Sequence, residues 1–206
     1  MHKAPNDFPN LSVPSAGQPE KPLEAPHNPV PEPAPASSAG FADLWLRDLF
    51  ICGVVIFVIF ILYQPVRVEG TSMLPRLEDR DRLFINKFVY SFSAIERGDV
   101  VVFHYPRDPE KSYIKRVIAL PGDSIFIDHG RVWINGDPTE EDYVPHRYRD
   151  TRSMPEMIVP PGEYFVMGDH RSISSDSRDF GPVDRELIYG KATFIYWPAD
   201  NMGVVR

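Results

Sequence analysis

Apolar and polar positions divide the chain into three stretches of different character. Residues 49–63 read Leu-Phe-Ile-Cys-Gly-Val-Val-Ile-Phe-Val-Ile-Phe-Ile-Leu-Tyr, fifteen positions without a charge. Fifteen is short of the roughly 20 needed to cross a bilayer as a helix. Extending back through Leu44, Trp45 and Leu46, with Arg47 snorkelling and Asp48 near the boundary, and forward to Val66 supplies the missing length. The stretch is apolar on every face, whereas a helix packed on a globular core shows an apolar stripe. The pattern predicts a transmembrane anchor helix over residues 41–66. It begins far from Met1 and no small-x-small cleavage pattern follows it, so it reads as a retained anchor.

Beyond the anchor the period shortens. Residues 66–68, 82–88, 100–105, 113–120, 124–127, 132–134, 164–167 and 192–197 form short β-rich runs separated by turn residues. Ile125, Ile127, Val132 and Ile134 alternate as half-buried strands do, around the turn Asp128-His129-Gly130, which predicts a hairpin. The expected fold is mainly β: an anchor helix followed by an antiparallel β-sheet body over residues 67–206, with a small β insertion around 124–162. Before the anchor, residues 1–40 carry ten prolines, Pro5 to Pro35, among Ala, Ser, Glu and Asn. Such a composition buries too little apolar surface to offset chain entropy and predicts a disordered, partly polyproline-II tail.

Composition narrows the function classes. The 206 residues carry a formal charge of −7, which argues against a nucleic-acid surface, because phosphate binding shows as a basic patch or stripe. Cys52 is the sole cysteine, so no intramolecular disulfide or thiolate metal site can form. His2, His27, His104, His129, His146 and His170 show no metal-ligand spacing, and no metal or other cofactor is expected. Arg47 stands nearly alone before the span, whereas Arg67, Arg76, Arg80 and Arg82 follow it. That bias carries little weight for orientation, since long domains translocate largely regardless of charge.

Two short runs hold the candidate chemistry. Ser72 lies in Gly70-Thr71-Ser72-Met73-Leu74-Pro75, and Lys115 in Tyr113-Ile114-Lys115-Arg116. Alone, the first is an ordinary turn serine and the second a lysine on the wet face of a strand. Should they meet in space, they make a serine nucleophile with a lysine base. Such a lysine must be neutral to take the serine proton, so its pKa must fall from about 10.4 toward 7 or 8, a cost of roughly 3 to 5 kcal/mol. Burial beside Tyr113 and Val117, which strand alternation places on its face, would do this and would turn Arg116 the other way.

These runs, in this order, resemble the bacterial type I signal peptidases. The likeness rests on Ser72-Met73-Leu74-Pro75, Arg97-Gly98-Asp99-Val100-Val101-Val102-Phe103, Lys115-Arg116-Val117 with Leu120-Pro121-Gly122-Asp123, and the run from Gly168 through Asp176-Ser177-Arg178. Phe194-Ile195-Tyr196-Trp197-Pro198 looks like the family's ending. The resemblance implies an endopeptidase that cuts signal peptides from exported preproteins after a small-x-small motif. It would be a single-pass protein of the cytoplasmic membrane, with its body on the extracytoplasmic side and preprotein signal peptides and the lipid bilayer as partners. It implies Ser72 as nucleophile, Lys115 as general base, Ser174 hydrogen-bonded to the lysine amine, and Asp176 with Arg178 as a bracing ion pair. By the same analogy Val68, Met73, Leu77, Tyr113 and Ile114 wall the substrate pocket, and the peptide adds to the edge at residues 66–70. The Ser72 amide would give one oxyanion donor. The second is open, because Gly70 stands where some members carry a serine, and a backbone N–H or a water could serve. Ala119, Arg76 and His170 replace the usual glycine, threonine and asparagine without removing a catalytic group.

Two other classes compete with this reading. A self-cleaving repressor-type protease can share Ser-Met and a lysine base, but would carry a DNA-binding domain in place of a span. A catalytically dead, membrane-tethered β module would have no need to keep Ser72, Lys115, Ser174 and Asp176 together.

Overall fold

The computed structural model describes residues 39–205 of the chain, with side chains from Leu44 onward. The proline-rich stretch expected to be a tail lies, up to residue 38, outside the described residues. A helix, α1 (Ala39–Leu62), opens the described part. At about 1.5 Å per residue, its 24 residues extend some 36 Å. Its segment Leu44–Leu62 is long and apolar enough to cross a membrane, and none of that segment is buried in the protein. Arg47 pairs with its neighbour Asp48 at 3.2 Å on the exposed surface.

The helix ends four residues before the expected boundary at Val66. The cause is Pro65, whose ring disfavours the helical region for Gln64 and which has no N–H to continue the ladder. Residues 63–67 instead form an edge strand, where a proline is tolerated.

Twelve strands are assigned among the described residues. They are β1 (Tyr63–Arg67), β2 (Arg82–Asn86), β3 (Val100–Tyr105), β4 (Asp108–Ala119), β5 (Ser124–Asp128), β6 (Arg131–Ile134), β7 (Asp137–Pro138), β8 (Met154–Ile158), β9 (Glu163–Met167), β10 (Val183–Asp184), β11 (Ile188–Trp197) and β12 (Gly203–Val204). The large sheet runs β1-β2-β11-β3-β4-β9-β10 with β12 on β11, and the small one β7-β6-β5-β8. The strand pairings are antiparallel throughout. In sequence the small sheet is inserted between β4 and β9, two neighbours in the large one.

The small sheet follows its alternation. Ile125, Ile127, Val132 and Ile134 are buried and share a cluster with Ile118, Phe165 and Met167 of the large sheet. Asp128 pairs with Arg131 across a two-residue turn in which His129 and Gly130 both have positive φ, the geometry whose twist matches antiparallel strands. Two further clusters build the large sheet's core. One gathers Val68, Met73, Leu77, Leu83, Ile85, Val100, Val102, Ala192 and Ile195. The other gathers Val101, Phe103, Val117, Val166, Val183 and Ile188. The first places the loop between β1 and β2 by burying Met73 and Leu77 on either side of Pro75.

Candidate active site

Three segments distant in sequence meet at one place. The loop between β1 and β2 supplies Ser72, β4 supplies Lys115, and the stretch after β9 supplies residues 168–178. The serine loop is held by hydrogen bonds within itself: Gly70 N–H donates to the Asp79 side-chain Oδ1 at 2.9 Å, and Leu77 N–H to the Met73 carbonyl at 2.9 Å. From the third segment, His170 N–H donates to the Ser72 carbonyl at 3.0 Å, and the His170 ring lies 3.2 Å from the Thr71 carbonyl oxygen. Gly168 is needed for this approach, because a Cβ there would stand 2.5 Å from the Ser72 carbonyl oxygen and would collide with Ser174.

Lys115 Nζ lies 2.7 Å from Ser72 Oγ and donates to the Ile114 carbonyl at 3.0 Å. Only 4 % of the lysine is exposed. Strand register puts Val101 opposite it and Phe103 opposite Tyr113, whose ring centroid is 5.2 Å from the amine. Burial disfavours the ammonium and pushes the Lys115 pKa down to about 8, against a weaker pull upward from Asp176 and Asp169. No carboxylate forms an ion pair with it among the described residues.

Arg116 is also buried, but it finds a carboxylate. Its Nε and Nη2 donate to both oxygens of Asp169 at 2.8 and 2.6 Å, and its guanidinium lies 4.3 Å from the Tyr143 ring centroid. Burial would lower its pKa, and the Asp169 carboxylate overcomes that and raises it. Asp176 binds Arg178 in two parallel hydrogen bonds of 2.8 Å and accepts from Gly168 N–H at 3.1 Å. Burial tends to raise the Asp176 pKa, yet Arg178, the Gly168 amide and the nearby Ser174 hydroxyl hold it below its ordinary value.

A cleft of about 430 Å³ opens over the serine and lysine. Val68, Met73, Tyr113 and Ile114 line it, flanked by residues 66–70 on one wall and 112–115 on the other. Among the described residues the Ser72 amide donates to no protein acceptor.

Comparison with known proteins places the chain in a family. Residues 42–197 match the family model described as signal peptidase, peptidase S26. A probable signal peptidase I-1 of Synechocystis sp. is 39 % identical over 153 residues, 70 % of this chain and 76 % of that protein. Signal peptidase IB of Staphylococcus aureus is 33 % identical over 172 residues, 75 % of this chain and 88 % of that protein. The chain belongs to the signal peptidase I family. It is a serine protease of that kind. The solved structure of a signal peptidase I from Enterococcus faecalis is 31 % identical, covers 49 % of this chain and 98 % of that one, and superimposes with a TM-score of 0.44.

Two expectations drawn from the family resemblance differ from the geometry. Ser174 does not bond the Lys115 amine: its hydroxyl is buried and, among the described residues, has no partner in hydrogen-bond geometry, lying near Asp176 and against Gly168. Leu77 does not wall the cleft: it is fully buried in the core cluster that carries the serine loop. Glu141 and Tyr143 carry no signal of a site role in the sequence. Nothing in Glu140-Glu141-Asp142-Tyr143 distinguishes it from a solvated acidic turn, and only the fold brings it to Arg116 and Arg171.

Proposed function

We propose that this chain is a membrane-anchored endopeptidase that cuts signal peptides from preproteins after a small-x-small motif, with Ser72 as nucleophile and Lys115 as general base. Membership of the signal peptidase I family supports the substrate class. The observation that carries the chemistry is the 2.7 Å approach of Lys115 Nζ to Ser72 Oγ in a pocket that disfavours the ammonium. With the amine neutral, the Ser72 hydroxyl donates to it and passes its proton as the oxygen attacks the scissile carbonyl. The resulting ammonium then protonates the departing amine, and the same amine activates the water that releases the acyl group from Ser72.

The free Ser72 amide is suited to the developing oxyanion as one donor. A substrate strand fits the cleft between residues 66–70 and 112–115, with main-chain hydrogen bonds for affinity and Val68, Met73, Tyr113 and Ile114 limiting side-chain size. Asp176 and Arg178 brace the segment that supports Ser72. The helix at Leu44–Leu62 serves as the single membrane span, with the β body on the extracytoplasmic side where exported preproteins emerge.

Cleavage of an Ala-x-Ala preprotein in detergent tests the reading. The expected result is loss of cleavage in both Ser72→Ala and Lys115→Ala with an unchanged circular dichroism spectrum. Retained cleavage in either variant would overturn the assignment.

A further inference from the structure

The loop that follows β7 belongs to the small-sheet insertion and holds none of the family motifs, yet it touches the supports of both reacting residues. Glu141 accepts from Arg171 Nη1 and Nη2 at 2.8 and 2.7 Å. Arg171 is 2 % exposed, and its Nε donates to the Gly168 carbonyl at 2.9 Å. Residues 168–170 are the stretch that holds Ser72 by its carbonyl. On the other side, the Tyr143 ring packs on Arg116, the residue after Lys115, and Arg116 binds Asp169. Tyr143 closes the loop on itself by donating its hydroxyl to Glu141 Oε1 at 2.9 Å. The second guanidinium, that of Arg171, stands 6.0 Å from the same ring.

We propose that Glu141 and Tyr143 form a clamp from the insertion that fixes the separation of Ser72 and Lys115, as positioning residues that touch neither substrate nor the reacting atoms. A buried guanidinium such as that of Arg171 needs its carboxylate, so the pair locks one arrangement of the segment 168–171. Tyr143 ties the position of Arg116, and with it the Lys115 backbone, to the same loop. A reacting pair displaced by about 1 Å loses on the order of 10²-fold in rate, so the clamp acts on kcat. It has no contact with the cleft and leaves KM alone.

The inference rests on Ser72 and Lys115 being the reacting pair. The test uses the full chain in detergent with a signal-peptide substrate, active sites being counted by burst titration. Glu141→Gln is expected to lower kcat per active site at least about tenfold with KM unchanged, and to move the midpoint of the pH–rate profile upward as water reaches the amine. Glu140→Gln, an exposed neighbour, keeps wild-type kcat. If Glu141→Gln does not fold, Tyr143→Leu, at a half-buried site, carries the same expectation. Unchanged kcat overturns the clamp. So does a loss that disappears when rates are expressed per active site, with the pH midpoint unmoved, because that is damage to folding alone. Ser72→Ala in the same assay separates the two readings: cleavage retained there removes the reacting pair itself, whereas an inactive Ser72→Ala beside a normal Glu141→Gln removes only the clamp.

Discussion

Lys115 and Arg116 are adjacent on β4 and almost equally buried, 4 % and 3 % exposed, yet their charges are treated in opposite ways. The lysine has apolar neighbours, a serine hydroxyl and a carbonyl, and burial pushes it toward neutrality. The arginine has both oxygens of Asp169 and an aromatic face, which keep it charged. Desolvation is common to both, and the presence or absence of a paired carboxylate decides the outcome. One side of the strand thus holds an amine pushed toward neutrality and the other a charged anchor. Side-chain type assists the division, because an ammonium gives up its proton when dehydrated and a guanidinium does not.

Replacing Lys115 by Met sharpens the contrast most. Cleavage is expected to fall by at least about 10³-fold while the protein becomes more stable, by about 2 kcal/mol at pH 7, because a desolvated ammonium is removed without stranding a buried counter-charge, and the Ser72 hydroxyl and Ile114 carbonyl lose only a hydrogen bond each. The sign with pH follows from the lowered pKa. Between about 8 and the unfolded value of about 10.5, the unfolded chain holds a proton that the folded one does not, so wild-type stability rises with pH. The stabilisation by Lys115→Met, measured by urea denaturation, should therefore be full below pH 8 and shrink as pH approaches 10.5.

On the opposite side, Asp169→Ala should destabilise by about 3 to 5 kcal/mol, since it leaves the Arg116 guanidinium buried without its carboxylate. A thermal melt lowered by on the order of 10 °C checks it. An unchanged melt would mean that Arg116 is not held as described.

Gly168→Ala links the two sides. Its Cβ would press on the Ser72 carbonyl and on Ser174, and kcat should fall on the order of 10²-fold with a smaller change in KM. The smallest effect belongs to Ser174→Ala. That hydroxyl forms no hydrogen bond to Lys115, so kcat/KM should drop less than about tenfold, and a loss as large as that of Lys115→Met would restore the aiming role implied by the family.

Much of the body was legible in the sequence because its signals are local. The run Ile125 to Ile134 alternates around a His-Gly turn, and both the hairpin and its buried face follow from that alone. The strand at Val100–Tyr105 was bounded correctly by turn residues on both sides. The sequence pattern marks only the second part of β4, because Asp108 to Ser112 is polar and its pairing with β3 gives it strand geometry without an apolar face. β8 carries no strand signal for a related reason: Met-Pro-Glu-Met-Ile has no clear alternation and is a strand only through its pairing with β5.

From the residues themselves the approach of Ser72 and Lys115 was legible only as a condition, since 43 residues separate them and no periodicity crosses that gap; their roles came only as what the family resemblance implies. Partners of buried charge were the least legible. Asp169, Glu141 and Asp150 each accept from an arginine distant in sequence, and their ordinary surface-like contexts hide that assignment.

What decides the chemistry is that the Lys115 amine gives up its proton near pH 8 rather than near 10.5, so that a neutral amine is within reach as the base. Its titration can be followed directly by NMR in the full chain in detergent, with ¹⁵N-labelled lysine side chains and Lys115→Met to assign the signal. A midpoint near 8 is expected. A midpoint near 10.5, the value of a lysine in water, would contradict the account.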